Sequence, residues 1–220
     1  MMKSQLLLIL LFPVFAVAQK DSLNWSFGAS IGMDFTHRRA EANNEWIDLA
    51  YYDSLERGVL QWSANLMVQR RINQKWSVSS GLYWMNCAYR IDTVPETNVT
   101  ALTSRFSYVG IPIEFAYAMR KEKVWRPYVK AGVFTGILIA DREHYRQSDV
   151  NGRVDLASET DYVPFQFGAL AAFGVQGFFY KDYSILCEIR YRQTLTAVAE
   201  GDLSRRFYNA GFHFGILKRF

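Results

Sequence analysis

Hydrophobic and polar residues alternate along most of the chain, beginning at Trp25. From Trp25 to Phe35 every odd position is large or apolar, whereas the even positions are serine, glycine or aspartate. A period of two residues is typical of a β-strand with one apolar and one polar face. The same alternation returns seven more times, which predicts eight strands. Their approximate extents are residues 25–35, 60–69, 76–84, 106–119, 127–139, 163–179, 183–194 and 208–220.

The connections between the predicted strands alternate between short and long. The short ones follow strands two, four and six, at residues 73–75, 120–123 and 180–182. The others are mostly long and polar, at residues 36–57, 92–105, 140–162 and 197–205. This asymmetry is typical of an up-and-down barrel in an outer membrane, which has tight periplasmic turns and longer external loops. We therefore expect both termini to lie in the periplasm.

The composition of the two faces distinguishes a membrane barrel from a soluble, lipocalin-like one. In a soluble barrel the large apolar residues fill the inside, whereas in a lipid-embedded barrel they face outward. Eight strands enclose a space only wide enough for side chains, and the chain has six Trp and sixteen Phe, nearly all of the strand ones on one face. We therefore predict an all-β fold, an eight-stranded antiparallel up-and-down transmembrane β-barrel. Trp62, Phe115 and Phe173 should lie on its outside.

The first eighteen residues have the pattern of a secretory signal peptide. Lys3 supplies the positive charge, an apolar run extends from Leu6 to Val17, and Ala16 and Ala18 form a small-x-small cleavage site. The apolar run is shorter than the ~20 residues that a membrane-spanning helix needs. We expect cleavage after residue 18 and one outer-membrane barrel domain at residues 19–220. Loss of Lys3 lowers the formal charge from +4 to +3, too small an excess to indicate a nucleic-acid partner.

Charged residues on the minor face of the strands are predicted to point into the lumen. In a narrow, dry space charges are tolerated only when they are paired, so we expect a salt-bridge network that plugs the barrel. Glu114 and Lys130, on neighbouring strands, are the favoured pair, and Glu188 among Arg190 and Arg192 is the second. A conducting or proton-relaying path is the alternative. The full predicted set is Asp34, Arg71, Glu114, Lys130, Glu188, Arg190, Arg192 and Arg219.

The long connections are the other candidate functional surface, because rigid scaffolds commonly present loops for binding. The predicted external loops one and three carry aromatic and basic residues. They could contact lipopolysaccharide and other outer-membrane lipid, or a protein partner. The candidates are Trp46, Tyr51, Tyr52, Arg142, Tyr145 and Arg146.

The chain lacks the common sequence motifs of catalysis and metal binding. His37, His144 and His213 are isolated, there is no HExxH or GxSxG motif, and the predicted apolar face carries no Ser and His pair. Cys87 and Cys187 fall on opposite faces of different strands, so a disulfide is not expected. We expect no catalytic residue, no metal and no cofactor.

Strands four and five carry motifs of a known family. Phe106–Ile113 reads FSYVGIPI and Arg126–Gly132 reads RPYVKAG. These segments resemble the PorT-like outer-membrane β-barrel family of small exported barrels, related in architecture to OmpX and OmpA. The resemblance implies a barrel, and its named member is implicated in assembling a protein-secretion system. The end of the chain is similar to the sorting signal read by the outer-membrane insertion machinery, through Tyr208, Phe212, Phe214, Ile216 and Phe220.

Three hypotheses of function follow. The leading one is a structural or interaction barrel with a plugged lumen and external loops for surface or partner contact. The second is a narrow transport pore, with an accessory role in secretion-system assembly as the family-based variant. The third, a lipid-modifying enzyme, lacks the expected residues.

Overall fold

The computed structural model describes residues 25–42, 56–92, 99–119, 124–147, 153–156, 163–180, 182–197 and 203–220. Within these ranges no helix is long and apolar enough to cross a membrane. The described residues form nine β-strands. They are β1 (Trp25–Ala42), β2 (Glu56–Arg71), β3 (Trp76–Ile91), β4 (Val99–Ala118), β5 (Trp125–Gln147), β6 (Arg153–Leu156), β7 (Phe165–Tyr180), β8 (Tyr183–Thr194) and β9 (Leu203–Arg219).

Eight of these strands close into a ring. Each pairs antiparallel with the next along the chain, except that β5 pairs with β7, and β9 pairs back to β1. The four-residue β6 adds a short pairing to the far end of β5. At the seam between the first and last strands the Phe220 N–H donates to the Trp25 carbonyl at 2.9 Å. The predicted fold class is confirmed, and closure leaves no ring strand with an unpaired edge in lipid.

The two faces of the wall lie as the alternation predicts. Trp62, Phe115 and Phe173 are 45%, 52% and 50% exposed and therefore lie on the outside. The intervening positions, such as Ser30 and Asn65, are buried in the lumen. Apolar residues outside and polar residues inside are the arrangement of a barrel whose surroundings are lipid.

Aromatic pairs mark the two edges of the outward apolar band. The rings of Trp76 and Tyr117 lie 4.9 Å apart close to the short connections, an end of the barrel that we call the turn end. The rings of Trp62 and Trp84 lie 5.1 Å apart towards the opposite end, the loop end. Ile72 marks the turn end on the chain segment that follows β2, because its N–H donates to the Trp76 carbonyl. It stands ten positions after Trp62. At ~3.3 Å per residue and a strand tilt of ~40° this spans ~25 Å, the height expected of a lipid-facing band.

The strands are longer at the loop end than the alternation predicts. β1 continues to Ala42, β4 begins at Val99 and β5 continues to Gln147, so residues predicted to be connections are paired in the sheet. The short β6 also lies within the predicted connection 140–162. On the extensions of β1 and β5 both faces are largely polar in sequence, so the contrast that reveals a strand disappears there.

Candidate functional site in the barrel lumen

The middle of the lumen holds four charged side chains in mutual contact, here called the quartet. Lys130 Nζ lies 3.1 Å from Glu114 Oε2 and 3.0 Å from Glu188 Oε2. Arg190 Nη1 lies 3.1 Å from Glu114 Oε1, and Arg190 Nε donates to Glu188 Oε1 at 2.9 Å. All four side chains are at least 95% buried. Two positive and two negative charges leave the quartet neutral, which is the condition under which buried ions are tolerated.

Neutral residues around the quartet donate further hydrogen bonds to its carboxylates. The Tyr128 hydroxyl donates to Glu188 Oε2 at 2.8 Å, and the Ser79 hydroxyl donates to Glu114 Oε2 at 3.2 Å. Gly174 lies opposite Glu188 across the β7–β8 pair. A Cβ atom at Gly174 would lie 2.7 Å from Glu188 Cβ and 2.8 Å from Tyr128 Cζ. A glycine is therefore needed in the wall at the place where these larger side chains enter the lumen.

A second charged group surrounds Asp34 of β1, and we call it the Asp34 cluster. Arg192 Nη2 and the Ser63 hydroxyl both donate to Asp34 Oδ2 at 2.5 Å, and His213 Nε2 lies 3.0 Å from Oδ1. All four residues are at most 3% exposed. A Cβ atom at Gly32, the cross-strand partner of His213, would lie 2.5 Å from the imidazole Nδ1. The missing side chain at Gly32 thus makes the space that the histidine ring occupies.

An apolar cluster fills the lumen towards the loop end. Phe106 and Phe207 have ring centroids 5.4 Å apart, and Tyr83 meets Phe134 edge-on at 5.7 Å. All four are at most 3% exposed, and other buried side chains such as Met85 join the same cluster. The predicted salt-bridge plug did not include this apolar cluster. The inward parity of Tyr83 and Phe134 was the available signal.

A further buried ion pair was missed because its members fall in a predicted connection. Arg38 Nε donates to Glu56 Oε2 at 2.8 Å, and Arg38 Nη2 lies 2.5 Å from Oε1. The Arg38 guanidinium also stacks over the Tyr89 ring at 3.3 Å. Both charged residues lie on strand extensions that apolar alternation does not reveal.

The eight charged residues predicted to face the lumen lie in three different parts of the barrel. The quartet and the Asp34 cluster contain six of the eight. Arg71 and Arg219 lie instead at the turn end, where they line an open vestibule together with Arg126. Arg219 Nη2 is 3.9 Å from Asp182 Oδ1.

The remaining predicted residues lie on other surfaces. Residues of the predicted insertion signal face outward on β9 and directly after it. Tyr208 is half-buried, and the others are about half exposed: Phe212, Phe214 and Ile216 on β9, and Phe220 after its end. Arg142 is exposed on β5. The positions that lie outside the described residues or side chains are Trp46, Tyr51, Tyr52, Tyr145, Arg146 and the predicted signal peptide 1–18.

The buried polar groups of the described residues do not form a catalytic arrangement of a known type. Asp34 bonds both Ser63 and His213, whereas in a serine hydrolase the histidine stands between the other two. Among the described residues no group of three His, Cys, Asp or Glu side chains is placed to hold a metal ion. Cys87 is buried in the lumen and Cys187 is half-buried, and both are free thiols.

Comparisons with known proteins agree with this architecture. Residues 17–200 match a family described as outer membrane protein beta-barrel domain. No curated protein matches the sequence significantly. The outer membrane protein OprG from Pseudomonas aeruginosa is 10% identical, with a TM-score of 0.51 over 88% of this chain and 96% of that one. Neisserial surface protein A is 14% identical, with a TM-score of 0.43 over 87% and 97%. The likeness to OprG concerns the fold alone, whereas the family match covers most of the sequence. The chain belongs to the outer membrane protein β-barrel domain family.

Proposed function

We propose that this outer-membrane barrel is a non-catalytic structural or interaction protein, with a plugged lumen and a loop end available for surface or partner contact. The observation that carries the proposal is the filling of the lumen by two buried charge clusters, of which the quartet is neutral, and an apolar cluster. Arg190 of the quartet and Arg192 of the Asp34 cluster are two residues apart on β8, or ~6.6 Å along the strand. The two clusters therefore occupy successive levels of the barrel.

The energetic cost of separating the buried charges favours a closed lumen over an ion-conducting one. An ion that crossed the lumen would have to separate buried charge pairs, and leaving one buried charge without its partner costs about 3–5 kcal/mol. Beyond the Asp34 cluster it would meet Phe106 and Phe207, which offer no polar group to replace its hydration shell. A narrow transport pore is thus the weaker alternative.

Single-channel recording in planar bilayers tests the plug. We expect the purified barrel to give no steady ion current, while an open porin inserted under the same conditions conducts. A steady current through the wild-type barrel would overturn the proposal in favour of the narrow pore.

The proposal also includes export and orientation. Residues 1–18 act as a cleaved signal peptide, both chain ends are periplasmic, and the loop end is external. Intact-mass measurement should give a mature protein that starts at Gln19. A cysteine introduced at Arg142 should react with a membrane-impermeant reagent on intact cells, and absence of that reaction in a folded variant would contradict the orientation.

The interaction part of the proposal is tested at the loop end. A photo-crosslinking residue at position 142, exposed on β5, should capture a partner in intact cells. The same probe at Ile137, which faces the apolar band and is 59% exposed, is the matched control. Equal capture from both positions would indicate random collision.

A second candidate is an accessory role in assembling a protein-secretion system. The FSYVGIPI and RPYVKAG motifs, which resemble the PorT-like family, favour it. In the barrel these motifs also have packing roles, since Tyr108 is fully buried and Gly132 faces the backbone of Ile113. Comparison of the proteins secreted by wild-type and deletion strains tests this role.

Unchanged lipid A mass spectra in the same deletion strain would exclude a lipid-modifying activity.

A further inference from the structure

Six arginines lie on the outside of the barrel at its loop end. One stands on each of six neighbouring strands, in the ring order β9, β1, β2, β3, β4 and β5. Five are exposed and the one on β9 is half-buried. We call this set the arginine belt: Arg206, Arg39, Arg57, Arg90, Arg105 and Arg142.

Neighbouring residues show that the belt points away from the lumen. Successive side chains of a strand point to opposite faces, and each belt arginine is next in sequence to a residue buried inside. Arg57 follows the buried Glu56, Arg90 follows the buried Tyr89, and Arg105 precedes the buried Phe106. The belt therefore continues the face that carries the apolar band.

Strand pairing sets these arginines directly opposite one another. The cross-strand partners are Arg39 with Arg206, Arg57 with Arg90, and Arg105 with Arg142. Like charges in such positions destabilise a sheet, because their Cβ atoms are only about 5 Å apart. Asp92 lies 2.8 Å from Arg57 Nε and 2.7 Å from Arg90 Nε. Six positive charges and this one negative charge leave +5 on these seven side chains.

The height of the belt places it in the first polar layer beyond the apolar band. Each arginine stands two to six residues beyond the last large apolar or aromatic residue on the outward face of its strand. On β9 the interval is two residues, from Tyr208, and on β3 it is six, from Trp84. With the strand tilt this corresponds to a height of roughly 5–15 Å above the band.

We propose that the arginine belt binds phosphate groups of the outer-leaflet lipid that surrounds the barrel. Two opposed guanidiniums can hold one phosphate between them, since guanidinium forms strong, directional hydrogen bonds to phosphate oxygens. A lipid phosphate beside the wall would offset the repulsion between Arg105 and Arg142 in the way that the Asp92 carboxylate does between Arg57 and Arg90. The belt side chains point outward from the barrel wall, so the bound phosphate belongs to a lipid that lies beside the barrel in the outer leaflet. The inference rests on the outer-membrane location and the external loop end, but not on the plugged lumen.

The test compares lipids that differ only in phosphate. The full barrel is purified in detergent and titrated with phosphorylated lipid A or with dephosphorylated lipid A, and the binding constants are measured at low and high salt. We expect the phosphorylated lipid to bind at least about tenfold more tightly, with the difference reduced by salt, because each basic residue near an anionic lipid surface contributes on the order of a fivefold change. Equal binding of the two lipids would overturn the proposal.

Variants locate the site. R57Q/R90Q/R105Q/R142Q removes two complete cross-strand pairs, and R70Q/R71Q/R126Q/R219Q removes four arginines from the turn end as the matched control. Heat-modified gel mobility shows which variants fold. Loss of the phosphate preference in the belt variant alone supports the proposal. Equal loss in both variants, or tighter wild-type binding of a soluble sulfated polysaccharide than of phosphorylated lipid A, would contradict it. If the belt variant does not fold, the comparison of the two lipids on the wild-type barrel decides.

Discussion

Replacement of Lys130 by methionine would test whether the quartet is held together by charge balance. Methionine keeps the apolar length of the side chain but removes the ammonium group that lies 3.1 Å from Glu114 and 3.0 Å from Glu188. Two buried carboxylates would then share one cation, Arg190. The quartet would change from neutral to a charge of −1 in a space where its side chains are at least 95% buried.

The expected cost follows from the burial of the group. Breaking a buried ion pair by removing one partner costs about 3–5 kcal/mol, mainly because the remaining charge stays buried without compensation. In E114Q/K130M the charge returns to zero, since Glu188 and Arg190 remain as a pair. The double variant should lose only the replaced hydrogen bonds, each worth about 1 kcal/mol. We therefore expect the double variant to be more stable than the single variant by about 2 kcal/mol.

Urea unfolding in lipid vesicles, followed by tryptophan fluorescence, measures both free energies of unfolding. The comparison of the two variants isolates charge imbalance from lost packing, because both carry the same methionine. A K130M barrel as stable as the wild type would refute the reasoning. A double variant no more stable than K130M would show that packing, and not charge, sets the cost.

Three other perturbations address different parts of the barrel. Gly32→Ala should lower the free energy of unfolding by about 1–3 kcal/mol, because the new Cβ overlaps the His213 ring. The double variant G32A/H213A should recover part of this loss in the same urea titration. If it does not, overlap with the His213 ring is not the cause of the loss. In the folded barrel an apolar maleimide delivered through the lipid should label Cys187 and not Cys87, as read by mass spectrometry; labelling of Cys87 first would reverse the two faces. Deletion of Phe220 should lower the amount of assembled barrel in outer-membrane fractions more than it lowers the unfolding free energy of the purified barrel, since the Phe220 side chain is 55% exposed; normal membrane levels would count against its role in insertion.

The transmembrane part of the fold was predictable because lipid and lumen impose opposite demands on alternate residues. The run from Trp25 to Phe35 contains that contrast at every position, and the structure keeps it. Strand adjacency then brought Glu114 close to Lys130. The same reasoning could not pair Asp34 with Arg192, because their contact depends on the lumen's cross-section and not on neighbouring strands.

Other features were not predictable for physical reasons. Arg38 and Glu56 have mostly polar neighbours in the sequence, so no apolar alternation distinguishes their segments from a loop. The lumenal aromatic cluster is not part of the predicted salt-bridge plug, and only the inward parity of Tyr83 and Phe134 indicated it. The arginine belt depends on strand register, which alternation alone does not determine.

The seam between β1 and β9 shows what the lumenal charges add to apolar alternation. If β9 slid past β1 by two residues, every apolar side chain would still face lipid, because the side-chain period is two. The outward placement of apolar side chains therefore does not distinguish the shifted register from the native one. The Asp34 cluster does distinguish them, because only the native register sets the His213 ring against Gly32 and Asp34 beside Gly211. The buried aspartate thus favours the native register of β9 against β1 over a register shifted by two residues, which the membrane environment alone does not exclude.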